Sequence, residues 1–336
     1  MDPLKPYLTD VESEMRRLVT SHTRGPDLMY GMMRYHLGWV DRDFRPVDLP
    51  AGKHIRPLIL LLASEAQGGN WQQALPAAAA IELLHNFTLI HDDIEDGDQL
   101  RRGRPTLWSI WGVPQAINAG DAMFTISYRG LLRLPDRGVS AERTVAAAQC
   151  YAEAVLHITE GQCRDIEFET DDQIGEAQYL TMISGKTAAL IGLAAEVGAV
   201  IAGAGDEHRA ALRDFGESLG KAFQMYDDLL GLWGDSEKTG KPVGSDLVKR
   251  KKTLPILHGI QSSTTFRELL AGEALTKTGI RTALAELESC GSRAYTEAQA
   301  RHFHDRALAA LQRSGGTGPA HDALRALAER LLDRQA

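Results

Sequence analysis

Residues 77–96, AAAAIELLHNFTLIHDDIED, decide the fold of this 336-residue chain. Apolar side chains fill most of the segment as far as Ile90, at the three- and four-residue spacing of a buried α-helix. Four acidic residues then follow between Asp92 and Asp96. Carboxylates at the end of a buried helix are costly unless a cation neutralises them. The segment therefore predicts a core helix that carries acids to a metal ion.

A second stretch, residues 222–231 (AFQMYDDLLG), repeats this order of an apolar helix followed by paired acids. In the first stretch, Asp92 and Asp96 are four residues apart and share one helical face. Magnesium prefers oxygen ligands and typically takes one or two carboxylates together with substrate phosphates. We therefore predict that the two stretches hold a diphosphate through magnesium; a solvated surface turn is the alternative for either stretch alone.

Helical periodicity extends over most of the chain, and period-two strands are absent from the pattern. The loops are short, and no linker is rich enough in Pro, Gly or Ser to divide the chain. These features predict an all-α fold, with residues 1–336 as a single domain of long antiparallel helices around a deep central cavity. The predicted helices cover about 10–20, 56–66, 74–96, 115–134, 141–168, 176–203, 207–233, 246–261, 276–289, 293–312 and 320–333.

Composition excludes several classes of protein. The chain has 45 acidic and 37 basic residues. Its one dense basic run, residues 249–252, is too short for a nucleic-acid-binding stripe. The three cysteines lack a CxxC pair, so we expect no disulfide framework or zinc site and a cytoplasmic location. The N-terminus lacks the basic start and apolar core of a signal peptide. Residues 188–205 are apolar, but Glu196 interrupts them, which favours a buried helix over a membrane span.

Basic residues beside the acids and glycines supply the complementary charge. Lys53 and Arg56, in the sequence GKHIRP, lie at a predicted helix start, where backbone N–H groups also favour anions. Arg101 and Arg102 follow the first acidic stretch closely, and Arg104 is a possible third contact. A solvated surface charge is the plain alternative for any one of these residues. Their shared placement favours diphosphate binding.

Taken in order and spacing, these motifs resemble those of the trans-type polyprenyl diphosphate synthases, most of all the short- and medium-chain geranylgeranyl or farnesyl diphosphate synthases. The resemblance covers about residues 50–260. Its motifs are GKHIRP at 52–57, ELLHN at 82–86 running into 92–96, RRGRPT at 101–106, GQ at 161–162, GKT at 185–187, FQ at 223–224 running into 227–228, GK at 240–241 and KKT at 251–253.

The resemblance implies a homodimeric Mg2+-dependent enzyme that condenses isopentenyl diphosphate head-to-tail with an allylic diphosphate. It implies a residue set for each task. Isopentenyl diphosphate would be bound by Lys53, Arg56, His85 and Arg102. The allylic diphosphate would be bound by Arg101, Lys186, Lys241 and Lys251. Three Mg2+ ions would be held by Asp92, Asp96 and Asp227, with Asp93 and Asp228 in support. Thr187 and Gln224 would lie beside the developing carbocation, and with Lys186 they form the expected catalytic set.

The second acidic motif departs from the family pattern, because Gly231 stands where many relatives carry a third aspartate. Since magnesium can retain water in place of a carboxylate, we expect a functional site with a modified ligand shell.

Three other functions use part of the same pattern. A class I terpene cyclase shares the metal motifs, but Lys53, Arg56 and His85 would then have no role. A non-catalytic subunit of a heteromeric synthase would be expected to lose the first aspartate motif, which this chain retains. A di-iron bundle uses Glu-x-x-His, as in Glu82 and His85, but requires a second such pair, which is missing.

Product length in this family depends on bulky residues four and five positions before the first aspartate. Those positions are Thr88 and Phe87. Phe87 predicts a floor of medium depth, hence a C20 product first and C15 next. Five residues turn a helix far from the face of Asp92, so Phe87 as a plain core aromatic stays open, with Leu84 as an alternative floor.

Overall fold

The computed structural model describes residues 4–20, 28–47, 49, 52, 54–171, 173–234, 243–272 and 275–333. Nearly all its regular structure is helical, which confirms the all-α prediction. The chain divides into two compact units, one of Met1–Cys150 with Val197–Ala204, the other of Tyr151–Glu196 with Gly205–Ala336. The single domain over residues 1–336 and its central cavity stay predictions.

Among its described residues, the first unit contains six whole helices, the start of a seventh and the end of α9 (Ala189–Ala202). The first seven are α1 (Lys5–Leu18), α2 (Leu28–His36), α3 (Ile55–Ala66), α4 (Trp71–Glu95), α5 (Leu107–Trp111), α6 (Val113–Leu131) and the first part of α7 (Ala141–Phe168). A 3-10 turn, Leu134–Arg137, follows α6. Between α4 and α5, strands β1 (Leu100–Arg101) and β2 (Arg104–Pro105) form a small antiparallel hairpin that the sequence pattern did not predict.

Helix α4 is the centre of this unit and packs against both α3 and α6. The alanines at 77–80 are fully buried, and side chains this small let neighbouring helices approach closely. On α6, Gly130 has the same function: a Cβ there would lie 2.8 Å from a methyl group of Leu18. At the other end, the Asn70 side chain caps α4 by accepting a hydrogen bond from the Gln72 N–H at 3.0 Å. The helix that carries the first acids is therefore held on several sides.

The acids lie where α4 ends. The Asp98 N–H donates to the Asp93 carbonyl at 3.0 Å and the Gly97 N–H to the Ile94 carbonyl at 3.3 Å, with Gly97 at φ +65°. This pair of bonds is a Schellman motif, which needs a left-handed residue such as glycine. The carboxyl end of a helix carries partial negative charge, so side-chain carboxylates there are unfavourable without a nearby cation.

The second unit contains the remaining helices. They are the end of α7, α8 (Glu176–Ile183), most of α9 (Ala189–Ala202), α10 (Asp206–Trp233), α11 (Ser245–Val248), α12 (Leu254–Ser262), α13 (Thr264–Ala271), α14 (Lys277–Ser289), α15 (Ser292–Arg313) and α16 (Gly318–Asp333). Helix α10 packs along α15. An apolar cluster that includes Tyr179, Met182, Met225 and Leu254 surrounds the part of α10 that leads into its acids.

Two predicted helices are interrupted. The helix expected at 246–261 is two helices, α11 and α12, because Arg250 adopts a left-handed φ of +51° and Pro255 lies in the first turn of α12. The helix expected at 176–203 contains a π-turn at Ser184–Ala188. By length and composition the run Glu176–Ala202 is apolar enough to cross a membrane, but 83% of its apolar window is buried, which makes it weak evidence for a span.

Candidate active site

The three aspartates of the first motif differ in environment. Asp93 is 2% exposed, and its Oδ1 accepts a hydrogen bond of 2.5 Å from Nε of Arg101. Burial raises the pKa of Asp93 to about 6, although Arg101 opposes the shift. Asp92 and Asp96 are half-buried and lie on one face of the last turn of α4. The motif therefore consists of one buried carboxylate and two half-buried ones.

The β1–β2 hairpin holds the two arginines that follow these acids. Arg101 pairs with Arg104 across the hairpin, and the two turn residues, Arg102 and Gly103, have φ values of +52° and +75°. Two positive φ values identify a type I′ turn, which is unfavourable for a side chain as large as arginine. Strained residues of this kind are concentrated at functional sites. The hairpin fixes Arg101 on Asp93 and turns Arg102 back toward Gly52, where a Cβ would lie 2.9 Å from its guanidinium.

Arg104 is bound by backbone carbonyl groups and has a structural role. Its guanidinium donates to the carbonyl oxygens of Tyr35 and Val40, each at 2.9 Å, and lies 3.9 Å from the centre of the Tyr35 ring. These bonds hold the hairpin against α2 and against the isolated β-bridge of Val40 and Pro46 that follows it.

A buried cationic cluster lies beside α4. Glu82 is 3% exposed and lies 3.1 Å from Nδ1 of His54. Burial alone would raise the pKa of Glu82, but His54, Arg56 and Arg102 together hold it below its usual value. Burial lowers the pKa of His85 well below its usual value, and Arg56 and Arg102 lower it further, so this imidazole is neutral at physiological pH. Sequence reasoning placed Glu82 in the ELLHN motif and in a rejected di-iron pattern, and missed its position as the counter-charge of this cluster.

Two features near this cluster would suit an anion. Nε of Arg56 is buried and has no hydrogen-bond partner among the described residues. A cavity of about 570 Å3 is lined by Asp93, Arg101 and Arg102, with His36 and Gly52 among its other walls. Burial first, and then these arginines, lower the pKa of His36 to about 3. The cavity therefore combines cationic side chains and one buried acid with walls that are otherwise mostly apolar.

In the second unit, a chain of hydrogen bonds begins at the π-turn and ends on the second acidic motif. The Thr187 hydroxyl donates to Oε1 of Gln224 at 2.8 Å, and the Gln224 amide donates to Oδ1 of Asp228 at 3.0 Å. The Asp228 carboxylate also accepts bonds from the Tyr179 hydroxyl at 2.6 Å and the Leu254 N–H at 3.2 Å. The structure thus brings together Thr187, Gln224 and Asp228, all predicted, with Tyr179, which no sequence signal indicated.

Burial raises the pKa of Asp228 to about 7, against the opposing effect of its three donors. The neighbouring Asp227 is exposed on the surface of α10. The second motif therefore repeats the division of the first, with one carboxylate bound by the protein and one at the surface.

Lys186, on the same π-turn, makes an ion pair of 2.5 Å with Asp165 of α7. The approach of α7 to the turn requires two glycines: a Cβ on Gly185 would lie 2.9 Å from Cα of Gly161 and closer still to the His157 carbonyl. π-Turns inside helices are frequent at functional sites. Lys251 is exposed, and its N–H donates to the Asp246 carbonyl at 3.0 Å. The predicted Lys53 and Lys241 lie outside the described residues.

Of the predicted chain-length residues, Phe87 lies on the side of α4 that faces α6. The ring of Phe87 stacks on Phe124 with 4.9 Å between centroids and meets His91 edge-on at 4.8 Å. Thr88 donates its hydroxyl to the His85 carbonyl at 2.7 Å, and Leu84 is fully buried. Among the three predicted positions, Phe87 thus forms a large aromatic surface together with Phe124. Sequence reasoning did not identify Phe124.

The donors fit a hard divalent cation. Within the described parts of the chain, no three His, Cys, Asp or Glu side chains converge closely enough to hold a metal ion. Magnesium bound by one or two carboxylates and substrate phosphates does not need three, and the acids lie at helix ends where a cation is favourable.

Comparison with known proteins decides the family. The sequence profile of the polyprenyl synthetase family matches residues 42–287. The chain belongs to the polyprenyl synthetase family. It is 41% identical over 316 residues to a (2E,6E)-farnesyl diphosphate synthase of Mycobacterium tuberculosis, covering 92% of this chain and 87% of the relative. It is 43% identical over 265 residues to a geranylgeranyl diphosphate synthase of the same organism, covering 77% and 75%.

Solved structures of polyprenyl synthetases share the fold. The enzyme from Streptomyces coelicolor superposes with a TM-score of 0.89 at 34% identity, covering 97% of this chain and 98% of that one. A polyprenyl synthase from Caulobacter crescentus, solved with calcium and isoprenyl diphosphate, has a TM-score of 0.84 at 30% identity, covering 99% and 96%. The resemblance drawn from the motifs is confirmed, and this polyprenyl synthetase has the all-α fold of its relatives. The individual roles of its site residues stay predictions.

Proposed function

We propose that this chain is a metal-dependent prenyltransferase that condenses isopentenyl diphosphate head-to-tail with an allylic diphosphate. The observation that carries the proposal is the cavity of about 570 Å3 whose lining includes Arg101, Arg102 and Asp93 of the acidic motif. A polyanion needs cationic walls, and the carboxylates beside them need a metal to tolerate that polyanion. The names of the relatives, farnesyl and geranylgeranyl diphosphate synthases, support the same reaction.

The metal is proposed to be Mg2+, three ions in all, held by the surface carboxylates Asp92, Asp96 and Asp227. When bound, it would supply electrostatic stabilisation of the departing diphosphate. That the Caulobacter crescentus relative was solved with calcium and isoprenyl diphosphate supports a hard divalent cation at this site. Asp93 and Asp228 are proposed to act in support, because Arg101 and Tyr179 already bind them.

The chain's own residues bind and orient the two substrates. Arg56, whose buried Nε has no hydrogen-bond partner in the described part of the chain, is proposed to bind isopentenyl diphosphate together with His85, Arg102 and Lys53. Neutral His85 offers a hydrogen bond without adding charge that Glu82 would have to balance. The allylic diphosphate is assigned to a second set of cations, namely Arg101, Lys186, Lys241 and Lys251.

Ionisation of the allylic C–O bond leaves a carbocation that must be kept from water and stabilised. Thr187 and Gln224 are fixed to one another and to Asp228, so their oxygen dipoles can be directed at that charge without reorganisation. The double bond of isopentenyl diphosphate then attacks the cation, and a proton is lost to the released diphosphate. No protein nucleophile is required.

The product is proposed to be C20 first and C15 next, because Phe87 and Phe124 together form a bulky surface beside α4. Relatives of both product lengths match at similar identity, so the aromatic pair is the main support for this choice. A homodimer in the cytoplasm belongs to the same proposal and is supported by the family resemblance alone.

The test is incubation of the purified protein with Mg2+, isopentenyl diphosphate and each allylic primer in turn, followed by chain-length analysis. Elongation of at least one primer is expected. Absence of elongation with dimethylallyl, geranyl and farnesyl diphosphate would refute the proposal. A class I terpene cyclase would instead convert an allylic diphosphate without isopentenyl diphosphate, so the same incubations without it separate the two. The cluster of Arg56, His85 and Arg102 favours the synthase.

A further inference from the structure

The second acidic motif has a glycine, Gly231, at the position where a third carboxylate would lie beside the first. On α10, Gly231 is four residues after Asp227, so the two positions share one helical face. This is the relation of Asp96 to Asp92 on α4. A side chain at residue 231 would therefore lie next to Asp227, one turn nearer the end of α10.

The space at residue 231 is filled from elsewhere in the chain. A Cβ on Gly231 would lie 2.6 Å from Cγ and 2.9 Å from Oδ1 of Asp246, which is carried by α11. Both distances are shorter than any real Cβ contact, so the carboxylate of Asp246 lies where the side chain of residue 231 would be. Since Cβ atoms four residues apart on a helix are about 5–6 Å from one another, Cγ of Asp246 lies within about 8 Å of Cβ of Asp227.

Contacts around this point hold α11 against α10. The Gly244 N–H donates to the Leu232 carbonyl at 3.1 Å, and the Ser245 hydroxyl donates to the Gly231 carbonyl at 3.2 Å. The Ser245 hydroxyl also lies 3.4 Å from Oδ1 of Asp246. This approach of α11 depends on glycine at 231, because any Cβ there would displace the carboxylate.

We propose that Asp246 supplies the third carboxylate of the second acidic motif, acting with Asp227 toward a divalent cation and its diphosphate. The inference rests on the proposed function. Its physical basis is position: the carboxylate lies on the acidic face of α10, near the negative end of that helix. The third acid is thus supplied by Asp246 on α11 in place of residue 231, and the site retains it.

The test measures metal binding apart from turnover. Thermal unfolding of the protein is followed in inorganic diphosphate while Mg2+ is titrated, and the Mg2+ concentration for half of the stabilisation is compared between variants. Asp246→Asn keeps the size and hydrogen bonding of the side chain and removes its charge. It is expected to raise that concentration by about 10- to 100-fold, the usual effect of losing a residue that supports a metal. Glu268→Gln, an exposed acid of α13, is the matched control and should leave it unchanged.

A relocation test separates a metal role from a structural one. Gly231→Asp alone should lower the melting temperature, because its Cβ overlaps the Asp246 carboxylate. Combined with Asp246→Ala, the same substitution has room and returns a carboxylate to the same place. The double variant is therefore expected to recover most of the Mg2+ dependence that Asp246→Ala alone loses. Circular dichroism confirms that each variant is folded.

The outcomes distinguish the two proposals. A wild-type protein that shows neither stabilisation by Mg2+ and diphosphate nor elongation would overturn the proposed function, and this inference with it. A wild-type protein that shows both, with Asp246→Asn at the wild-type Mg2+ requirement, would overturn the assignment of Asp246 alone. A folded double variant that recovers nothing would do the same.

Discussion

The bond between Tyr179 and Asp228 gives the sharpest physical prediction. Both side chains are buried, at 1% and 3% exposure, and the hydroxyl donates to Oδ2 at 2.6 Å. Tyr179→Phe removes this donor and little volume. A hydrogen bond to a charged group contributes about 1.5–3 kcal/mol, and one between neutral groups about 0.5–1.5 kcal/mol. The cost of the substitution therefore depends on whether Asp228 is ionised.

The pKa of Asp228 sets the pH window. Its value of about 7 lies above the usual 3.8, so the folded state binds a proton that the unfolded state releases between these values. Stability from this group is fully present below about pH 4 and is lost as pH rises through about 7. Because Tyr179 opposes the rise of that pKa, Tyr179→Phe should shift it upward by about one unit. The loss of stability in the variant would then continue to about pH 8.

Urea denaturation at pH 5.5 and pH 8.5 tests this reasoning. The free energy of unfolding should fall by about 1 kcal/mol at the lower pH and about 2 kcal/mol at the higher, because only the ionised carboxylate loses a charge-assisted bond. Tyr226→Phe, on the neighbouring turn of α10, is the control, since burial raises the pKa of Tyr226 and keeps it neutral at both pH values. An equal cost of Tyr179→Phe at both pH values would show that Asp228 does not titrate in this window.

Four substitutions test other parts of the site. Asp92→Ala should lower kcat by at least about 100-fold if this carboxylate holds the metal, since a bound metal contributes several kcal/mol of charge stabilisation; near-wild-type turnover would remove Asp92 from the ligand set. Phe87→Ala should lengthen the product, and an unchanged distribution would move the floor to Leu84 or to α6. Glu82→Gln leaves buried cations without their counter-charge, so it should cost about 3–5 kcal/mol of unfolding free energy and raise KM for isopentenyl diphosphate more than it lowers kcat. Gly185→Ala should lower the unfolding free energy by about 1–3 kcal/mol through overlap with α7, which denaturant melts would record.

The sequence was sufficient for features that depend on neighbours along the chain. Apolar periodicity predicted α4 and α10, and the acids at their ends are local to those helices. The break between α11 and α12 was missed, because the apolar pattern on either side of the polar run 249–253 was joined into one helix, whereas Arg250 leaves the helical region. A left-handed arginine has no composition signal.

Features that depend on distant neighbours were not predictable. Tyr179 and Asp228 are 49 residues apart, and Lys186 and Asp165 are 21 apart. Only the packing of helices brings each pair together, and nothing in the spacing of the residues indicates which tyrosine meets which acid. Likewise, the sequence showed a missing acid at Gly231, and only the fold shows what fills its place.

In both acidic motifs, the second aspartate is buried and hydrogen-bonded within the protein, and the first is more exposed. Asp93 is bound by Arg101, and Asp228 by Tyr179, Gln224 and Leu254. Both are buried and have raised pKa values, about 6 and about 7, so their charge has a cost that only fixed donors offset. A carboxylate already bound by protein donors has fewer lone pairs left for a metal. Replacing either buried aspartate should therefore reduce stability and misplace its neighbours, whereas replacing a surface aspartate should weaken metal binding with little effect on folding.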